Sequence, residues 1–129
     1  MTYCVEYAPQ KPRWFYVEAA REYEKRLARY CKACRIEKID HIGEKDFLIV
    51  ITPGGNRVSS EDAADAFSAL ESAGRVNRVV FSFRQDMPVR ADAVWKLTSI
   101  GVKEDLLLVL LLEQIYRAHK IMRNETYHK

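Results

Sequence analysis

The chain lacks the features of a secreted or membrane-embedded protein. Only three of its 129 residues are cysteines, an odd number. The stretch Met1–Glu6 has no basic start followed by an apolar segment, as a secretory signal would have. The longest apolar run, Leu106–Leu112, has seven residues, whereas a membrane-spanning helix needs about 20. We therefore expect reduced thiols, a cytoplasmic protein and no membrane partner.

A large excess of one charge is also missing. Lysine and arginine number 21 against 18 acidic residues, which gives a formal net charge of +3. This balance permits a nucleic-acid partner without requiring one, because phosphate binding depends on local clusters of basic residues. The chain has no internal repeat, low-complexity tract or linker. Its length suits one domain spanning residues 1–129.

The sequence contains an alternation of strand-like and helix-like segments. Alternating or continuously apolar stretches rich in β-formers predict strands, and apolar residues at helical spacing predict helices. We predict strands at 2–8, 32–40, 47–52 and 76–83, helices at 13–30, 60–74 and about 89–97, and a long last helix from about 104. Residues 98–102 fit either a short strand or a loop. This order predicts an α/β fold, a mostly parallel sheet with helices on both faces.

Cys31 and Cys34 form a CxxC pair. A thioredoxin-type pair follows a strand and opens a helix, where the dipole lowers the thiol pKa. Here the pair follows a predicted helix and enters a strand. A structural zinc site needs four ligands, and Cys4 and His41 are conceivable additions without motif spacing. We favour packing over redox or metal chemistry for this pair, and we assign no metal site.

Two segments follow predicted buried strands, where α/β proteins bind their ligands. Pro53-Gly54-Gly55 follows the third strand and could bring backbone amides close to a ligand, although it fits a plain turn equally well. Arg84-Gln85-Asp86 follows the fourth strand and faces either the same crevice or solvent. Both segments are candidate parts of a binding site.

The last helix ends in a basic stripe. Arg117, Lys120 and Arg123 recur every three residues. This spacing suits contacts with RNA phosphates, or a solvated helix end that complements the negative end of the helix dipole. Glu113 is placed to pair with Arg117. His119, on the same helix, is expected to pack or cap rather than to catalyse.

Three segments together resemble a known family. The residues from Glu113 to Arg123, with Tyr127-His128-Lys129 at the end, closely resemble the C-terminus of RlmH-like SPOUT methyltransferases, which act on pseudouridine in large-subunit ribosomal RNA. The segment Ala20–Leu27 resembles part of that family's first helix. Gly55 followed by Ser59-Ser60-Glu61 resembles its glycine-then-serine turn. The resemblance covers most of the chain in the same order.

The resemblance implies a C-terminal trefoil knot, a homodimer, S-adenosylmethionine as cofactor and methylation of pseudouridine in ribosomal RNA, free or in the ribosome. By position it also implies a set of site residues. The cofactor would be bound by Ile51, Gly54, Gly55, Arg84, Gly101 and Val102; the RNA would be bound by Arg117, Lys120 and Arg123; and Tyr127 and His128 would act in catalysis near the other subunit's cofactor.

Two of the three cofactor loops depart from the family pattern. Arg84 and Gln85 replace a glycine pair after the fourth strand, and Lys103 and Glu104 replace a Pro-His step before the last helix. Glycines let backbone amides approach a ligand, and Glu104 adds negative charge near the expected methionine carboxylate. The segment 40–45 is short where the family carries a further, often basic helix. A second hypothesis is therefore a catalytically silent relative that binds RNA or protein as a dimer.

Overall fold

The computed structural model describes residues 1–7, 11–87 and 89–125. The elements in chain order are β1 (Thr2–Glu6), α1 (Trp14–Leu27), β2 (Lys32–Ile36), β3 (Asp46–Arg57), α2 (Ser60–Ala73), β4 (Arg78–Ser82), β5 (Ala93–Lys96) and α3 (Glu104–Met122). The predicted α/β class is confirmed. Within these described ranges, no helix combines the length and apolar character needed to cross a membrane.

The five strands form one sheet in the order β2-β1-β4-β3-β5, and all neighbouring strands are parallel. This confirms the predicted parallel sheet. In a parallel sheet the carboxyl ends of the strands share one edge. The ends of β3, β4 and β5 therefore lie side by side, together with the loops that follow them.

The positions at which α2 begins and ends are set by residues in or next to the helix. Ser59 Oγ accepts a hydrogen bond from Asp62 N at 3.0 Å, and the Asp62 carboxylate accepts one from Ser59 N at 3.1 Å. This capping box satisfies two N–H groups that the first turn would otherwise leave unpaired. The helix stops at Gly74, whose φ of 69° suits glycine. The predicted bounds of this helix, 60–74, are confirmed to within one residue.

The core lies on both faces of the sheet, but the two faces are covered differently. On one face, Phe67 of α2 and Leu111 and Ile115 of α3 pack with strand residues and with Ala20 and Leu27 of α1 in one large cluster. On the other face, a smaller cluster contains Ile39, Leu48, Val50 and Val80, with partly buried neighbours from segments that are not helical. In the described parts of the chain, the second face is thus covered by loops where we expected a helical layer.

Two local predictions were wrong. The segment Pro53-Gly54-Gly55-Asn56 does not end the third strand, because β3 continues beyond it to Arg57. The helix predicted around 89–97 is replaced by β5, Ala93–Lys96, which pairs with β3. In both cases the pairing of β3 with β5 decides the conformation, and a local pattern does not contain that information.

The prediction of reduced thiols is wrong for two of the three cysteines. Cys4 and Cys34 are register partners on neighbouring strands β1 and β2, and their sulfur atoms form a disulfide. Cys31 is free and half-buried, and burial raises the pKa of its thiol to about 11. The CxxC pair is therefore neither a redox dithiol nor half of a zinc site in this structure, because Cys34 is bonded to Cys4.

Candidate functional site: two cavities at the carboxyl edge of the sheet

A mostly apolar cavity of about 150 Å³ opens at the carboxyl ends of β3, β4 and β5. Its walls come from segments that follow those strands and from the first turn of α3. The lining residues are Ile51, Thr52, Pro53, Phe83, Gln85, Leu97, Thr98, Ile100, Gly101, Val102, Glu104 and Leu107. Ligands of open parallel sheets bind at this edge. We call this space the apolar cavity.

A bulge in β3 shapes one wall of the apolar cavity. Ile51 and Asn56 both pair with Trp95, so residues 52–55 leave the ladder between them. A Cβ atom at Gly55 would lie 2.6 to 2.9 Å from backbone atoms of Trp95. Glycine is therefore required for this close approach. Gly54 is different, because a Cβ atom there would meet nothing within 4 Å.

A second cavity of about 430 Å³ shares Phe83 and Glu104 with the apolar cavity. Its other lining residues are Glu6, Glu37, Lys38 and Arg84. We call it the charged cavity, since five of the six described side chains that line it carry a formal charge. Phe83 and Glu104 line both spaces and so stand between them.

Buried Glu6 fixes the segment that follows β4. Its Oε1 accepts hydrogen bonds from Ser82 Oγ and Arg84 Nε, both at 2.8 Å. Its Oε2 accepts one from Ile39 N at 2.7 Å. A buried carboxylate is tolerated when it has such partners. The guanidinium of Arg84 is consequently held against Glu6 in the charged cavity, and Arg84 does not line the apolar cavity.

A second buried carboxylate fixes the start of α3. Asp105 Oδ1 accepts a hydrogen bond from Arg13 Nη2 at 2.8 Å, and Oδ2 accepts from Arg13 Nε at 2.9 Å and from Arg13 N at 3.0 Å. This bidentate partner holds the pKa of Asp105 well below its usual range. The contact ties the N-terminus of α3, which carries Glu104, to the N-terminus of α1.

The predicted basic stripe lies far from both cavities within one chain. Its residues have partners on the surface around α3. Arg117 Nη2 donates to Glu113 Oε1 at 2.9 Å, Lys120 Nζ lies 3.6 Å from Glu125 Oε2, and Arg123 Nη2 donates to the Tyr30 carbonyl at 3.3 Å. At 1.5 Å per residue, Arg117 lies about 20 Å along the helix from Glu104. The predicted Glu113–Arg117 pair is confirmed.

His119 is part of the core, as predicted. It is 3% exposed, packs edge-on against Tyr3, and forms stacked contacts with Phe67 and with Tyr30. Burial lowers its pKa to about 4. The imidazole is therefore neutral at physiological pH and lies in an aromatic environment.

Two predicted positions fall outside the described ranges. Tyr127 and His128, assigned to catalysis by resemblance, belong to the segment 126–129, of which the structure describes nothing. Across the described residues, we found no group of three or more His, Cys, Asp or Glu side chains that could hold a metal ion.

The family profile described as "Predicted SPOUT methyltransferase" matches residues 5–128, nearly the whole chain. The chain belongs to the SPOUT methyltransferase family. This match confirms the family resemblance that we inferred from the sequence of the last helix and of the residues after it. An α/β fold with an all-parallel sheet and a cavity at its carboxyl edge is consistent with that family.

Curated relatives match along most of their own length. The "Ribosomal RNA large subunit methyltransferase H 2" of Thermoanaerobacter pseudethanolicus is 30% identical over 139 residues, covering 100% of both chains. The enzyme of the same name, without a number, from Clostridium beijerinckii is 32% identical over 142 residues, covering 87% of this chain and 89% of its own. That from Thermotoga maritima is 28% identical over 137 residues, covering 88% and 91%.

The structure brings together some of the residues predicted to bind the cofactor of this SPOUT family member. Ile51, Gly101 and Val102 line the apolar cavity. The backbone of Gly55 packs against that of Trp95 in the bulge that forms one wall, and Gly54 lies in the exposed part of this bulge. Arg84 lines the charged cavity instead.

Sequence reasoning missed several other wall residues. They are Phe83, Leu97, Thr98, Ile100 and Leu107 of the apolar cavity, and Glu6, Glu37 and Lys38 of the charged cavity. Their position directly after strand ends was a usable signal for most of them. Glu6 had no such signal, because its partners are more than 30 residues away.

The two cavities together fit S-adenosylmethionine. The apolar cavity alone, at about 150 Å³, is smaller than the roughly 300–1,000 Å³ of typical ligand sites. Adding the 430 Å³ charged cavity reaches that range. The cofactor has an uncharged nucleoside half and a zwitterionic methionyl half. One half matches the apolar walls, and the other matches the walls that carry Lys38, Arg84 and Glu37.

Proposed function

We propose that the chain is a methyltransferase that uses S-adenosylmethionine to methylate large-subunit ribosomal RNA at a pseudouridine base. The observation that carries this proposal is the cavity at the carboxyl ends of β3, β4 and β5 in a chain of the SPOUT methyltransferase family. The names of the curated relatives support the choice of ribosomal RNA as substrate. The proposed place of action is the ribosome in the cytoplasm.

The chain's own residues would bind and orient the reactants. When bound, the cofactor supplies a methyl group on a positively charged sulfur. Ile51, Val102 and Leu107 would exclude water from its nucleoside half, and Lys38 would attract its carboxylate. The Glu6–Arg84 and Arg13–Asp105 contacts would keep both cavities in shape during binding. Holding the reacting groups in one geometry lowers the barrier of a transfer reaction.

The RNA contacts are proposed to come from a second copy of the chain in a knotted homodimer. The basic residues Arg117, Lys120 and Arg123 lie about 20 Å or more along α3 from Glu104 of the same chain. A second copy whose α3 points toward this chain's cavities would bring its own basic residues there, together with its Tyr127 and His128. The basic residues would then contact RNA phosphates, and the tail would act beside the methyl group.

The test is methyl transfer from radiolabelled S-adenosylmethionine to ribosomes or large-subunit ribosomal RNA that lack the modification. We expect label in a methylated pseudouridine, identified by nuclease digestion and mass spectrometry. Removal of residues 127–129 should abolish incorporation while leaving cofactor binding in place. Absence of incorporation, with cofactor bound by the full chain, would contradict the proposed reaction.

A second candidate function is a catalytically silent dimer that binds RNA or protein. It is favoured by Arg84 and Gln85, which stand where the family has glycines, and by the small volume of the apolar cavity. This candidate predicts RNA binding without methylation. Methylation that depends on residues 127–129 would overturn it.

A further inference from the structure

The apolar and charged cavities meet at two side chains. Phe83 and Glu104 line both, whereas every other described lining residue belongs to one cavity alone. Phe83 directly follows β4, and Glu104 is the first residue of α3. A ligand that occupied both cavities would therefore pass beside an aromatic ring and a carboxylate.

Among the described residues, the walls of the charged cavity carry more negative than positive groups. Its walls hold three carboxylates, those of Glu6, Glu37 and Glu104, and two cations, those of Lys38 and Arg84. Glu6 and Arg84 form an ion pair at 2.8 Å and largely neutralise each other. The two negative charges of Glu37 and Glu104 then exceed the single positive charge of Lys38. The site is thus suited to a ligand with a net positive charge.

S-adenosylmethionine has that charge, and its neutral product does not. The sulfonium and ammonium groups outweigh the single carboxylate, so the cofactor carries a net charge of about +1 at neutral pH, as follows from ordinary group pKa values. S-adenosylhomocysteine, left after methyl transfer, has an uncharged sulfur. The sulfur joins the nucleoside half to the methionyl half, so a molecule spanning both cavities has its sulfur where Phe83 and Glu104 stand.

We propose that Glu104, together with the ring of Phe83, recognises the sulfonium and makes the chain bind S-adenosylmethionine more tightly than S-adenosylhomocysteine. This inference rests on the proposed function, because it takes that cofactor as the ligand. A carboxylate attracts a nearby cation, and an aromatic face does the same through its quadrupole. Both attractions vanish when the methyl group leaves, so the same two residues favour release of the product.

The experiment compares the two ligands by isothermal titration calorimetry. The wild-type chain should bind S-adenosylmethionine roughly tenfold more tightly than S-adenosylhomocysteine, a difference typical of one electrostatic contact. Glu104→Gln should weaken S-adenosylmethionine binding about tenfold and leave S-adenosylhomocysteine binding nearly unchanged. Glu104→Asp, which keeps the charge, should retain most of the preference. Phe83→Leu should reduce it by a smaller factor and provides an independent test if a Glu104 variant misfolds.

Two control variants separate this role from a general effect of charge. Glu37→Gln removes a carboxylate from the charged cavity that would face the ammonium group, which both ligands possess, so both should weaken alike and the preference should remain. Glu44→Gln removes an exposed carboxylate outside both linings, and neither affinity should change.

The titrations separate a failure of the sulfonium assignment from a failure of the proposed function. If the wild type binds both ligands but Glu104→Gln and Phe83→Leu leave their affinity ratio unchanged, the sulfonium assignment is wrong and cofactor binding stands. If the wild type binds neither ligand at millimolar concentration, the proposed function fails, and the inference fails with it.

Discussion

At the scale of single residues, Gly55 is the position where the fold depends most directly on the absence of a side chain. Its Cβ position lies 2.6 Å from the carbonyl carbon of Trp95. We predict that Gly55→Ala lowers the free energy of unfolding by about 1–3 kcal/mol, the usual cost of overpacking. Denaturant titration followed by circular dichroism measures this change.

The neighbouring glycine gives a matched control. Gly54 has open space around its Cβ position and no positive φ, so Gly54→Ala should change the unfolding free energy by less than about 0.5 kcal/mol. Equal effects of the two substitutions would mean that the contact between Gly55 and Trp95 is not what holds the bulge of β3.

His119 makes stability depend on pH. Its pKa is about 4 in the folded chain because of burial, against about 6.5 when unfolded. Between these values the unfolded chain binds a proton that the folded chain excludes, so stability falls as the pH is lowered from 6.5 to 4. We predict a loss of up to roughly 3 kcal/mol in unfolding free energy over this range. Denaturant titrations at several pH values measure it.

One variant isolates the contribution of His119. His119→Phe removes the titrating group and should flatten the pH dependence above pH 4. Asp46 and Asp105 have lowered pKa values, so their stabilisation is lost only below about pH 4. A slope that persists in His119→Phe would contradict the assignment.

At the scale of elements, the disulfide between β1 and β2 is the connection with the largest predicted effect on stability. Cys4 and Cys34 are 30 residues apart, and closing a loop of that length stabilises a folded chain by about 3–4 kcal/mol. We predict that a reductant lowers the unfolding free energy of the wild type by a similar amount. The reductant should have no effect on Cys4→Ser.

The third cysteine provides the control for this prediction. Cys31→Ser removes the free thiol, and its response to a reductant should match that of the wild type. Loss of the reductant effect in Cys31→Ser, with its retention in Cys4→Ser, would mean that Cys34 pairs with Cys31 instead.

The elements whose signals are local could be predicted from the sequence. The Ser59 cap, the Gly74 stop and the start of α3 at Glu104 depend on residues within one helical turn. β5 was missed because Ala93–Lys96 has only four residues and forms a strand through its pairing with β3. The disulfide was missed for the same reason, since only the parallel pairing of β1 with β2 brings Cys4 beside Cys34.

The location of the candidate site in the fold could be predicted more easily than the placement of its individual side chains. Ile51, Gly101 and Val102 were expected near the carboxyl edge of the sheet and line the apolar cavity there. Arg84 was expected in a cofactor loop, and buried Glu6, 78 residues away in sequence, holds its side chain in the charged cavity and not in the apolar one. A partner at that distance leaves no trace in the local pattern around Arg84.

At the scale of the whole molecule, α3 links the cavities at one end to the basic residues at the other. Leu106, Leu107, Val109 and Leu110 are only half-buried in the single chain, which leaves apolar surface along the first half of α3. In the proposed homodimer, a second copy would cover this surface. We predict a dimer of about twice the 15.0 kDa chain mass, measured by light scattering after size-exclusion chromatography. A monomer at micromolar concentration would contradict the two-chain site.

The most direct test of the central claim is calorimetric titration of the chain with S-adenosylmethionine. We predict saturable binding in the micromolar range. Thr98→Trp, which adds an indole to the lining of the apolar cavity, should weaken this binding at least tenfold, and Ser99→Trp, at an exposed neighbouring position outside that lining, should not. Absence of binding at millimolar cofactor, or equal binding by both variants and the wild type, would contradict the assignment of these cavities to the cofactor.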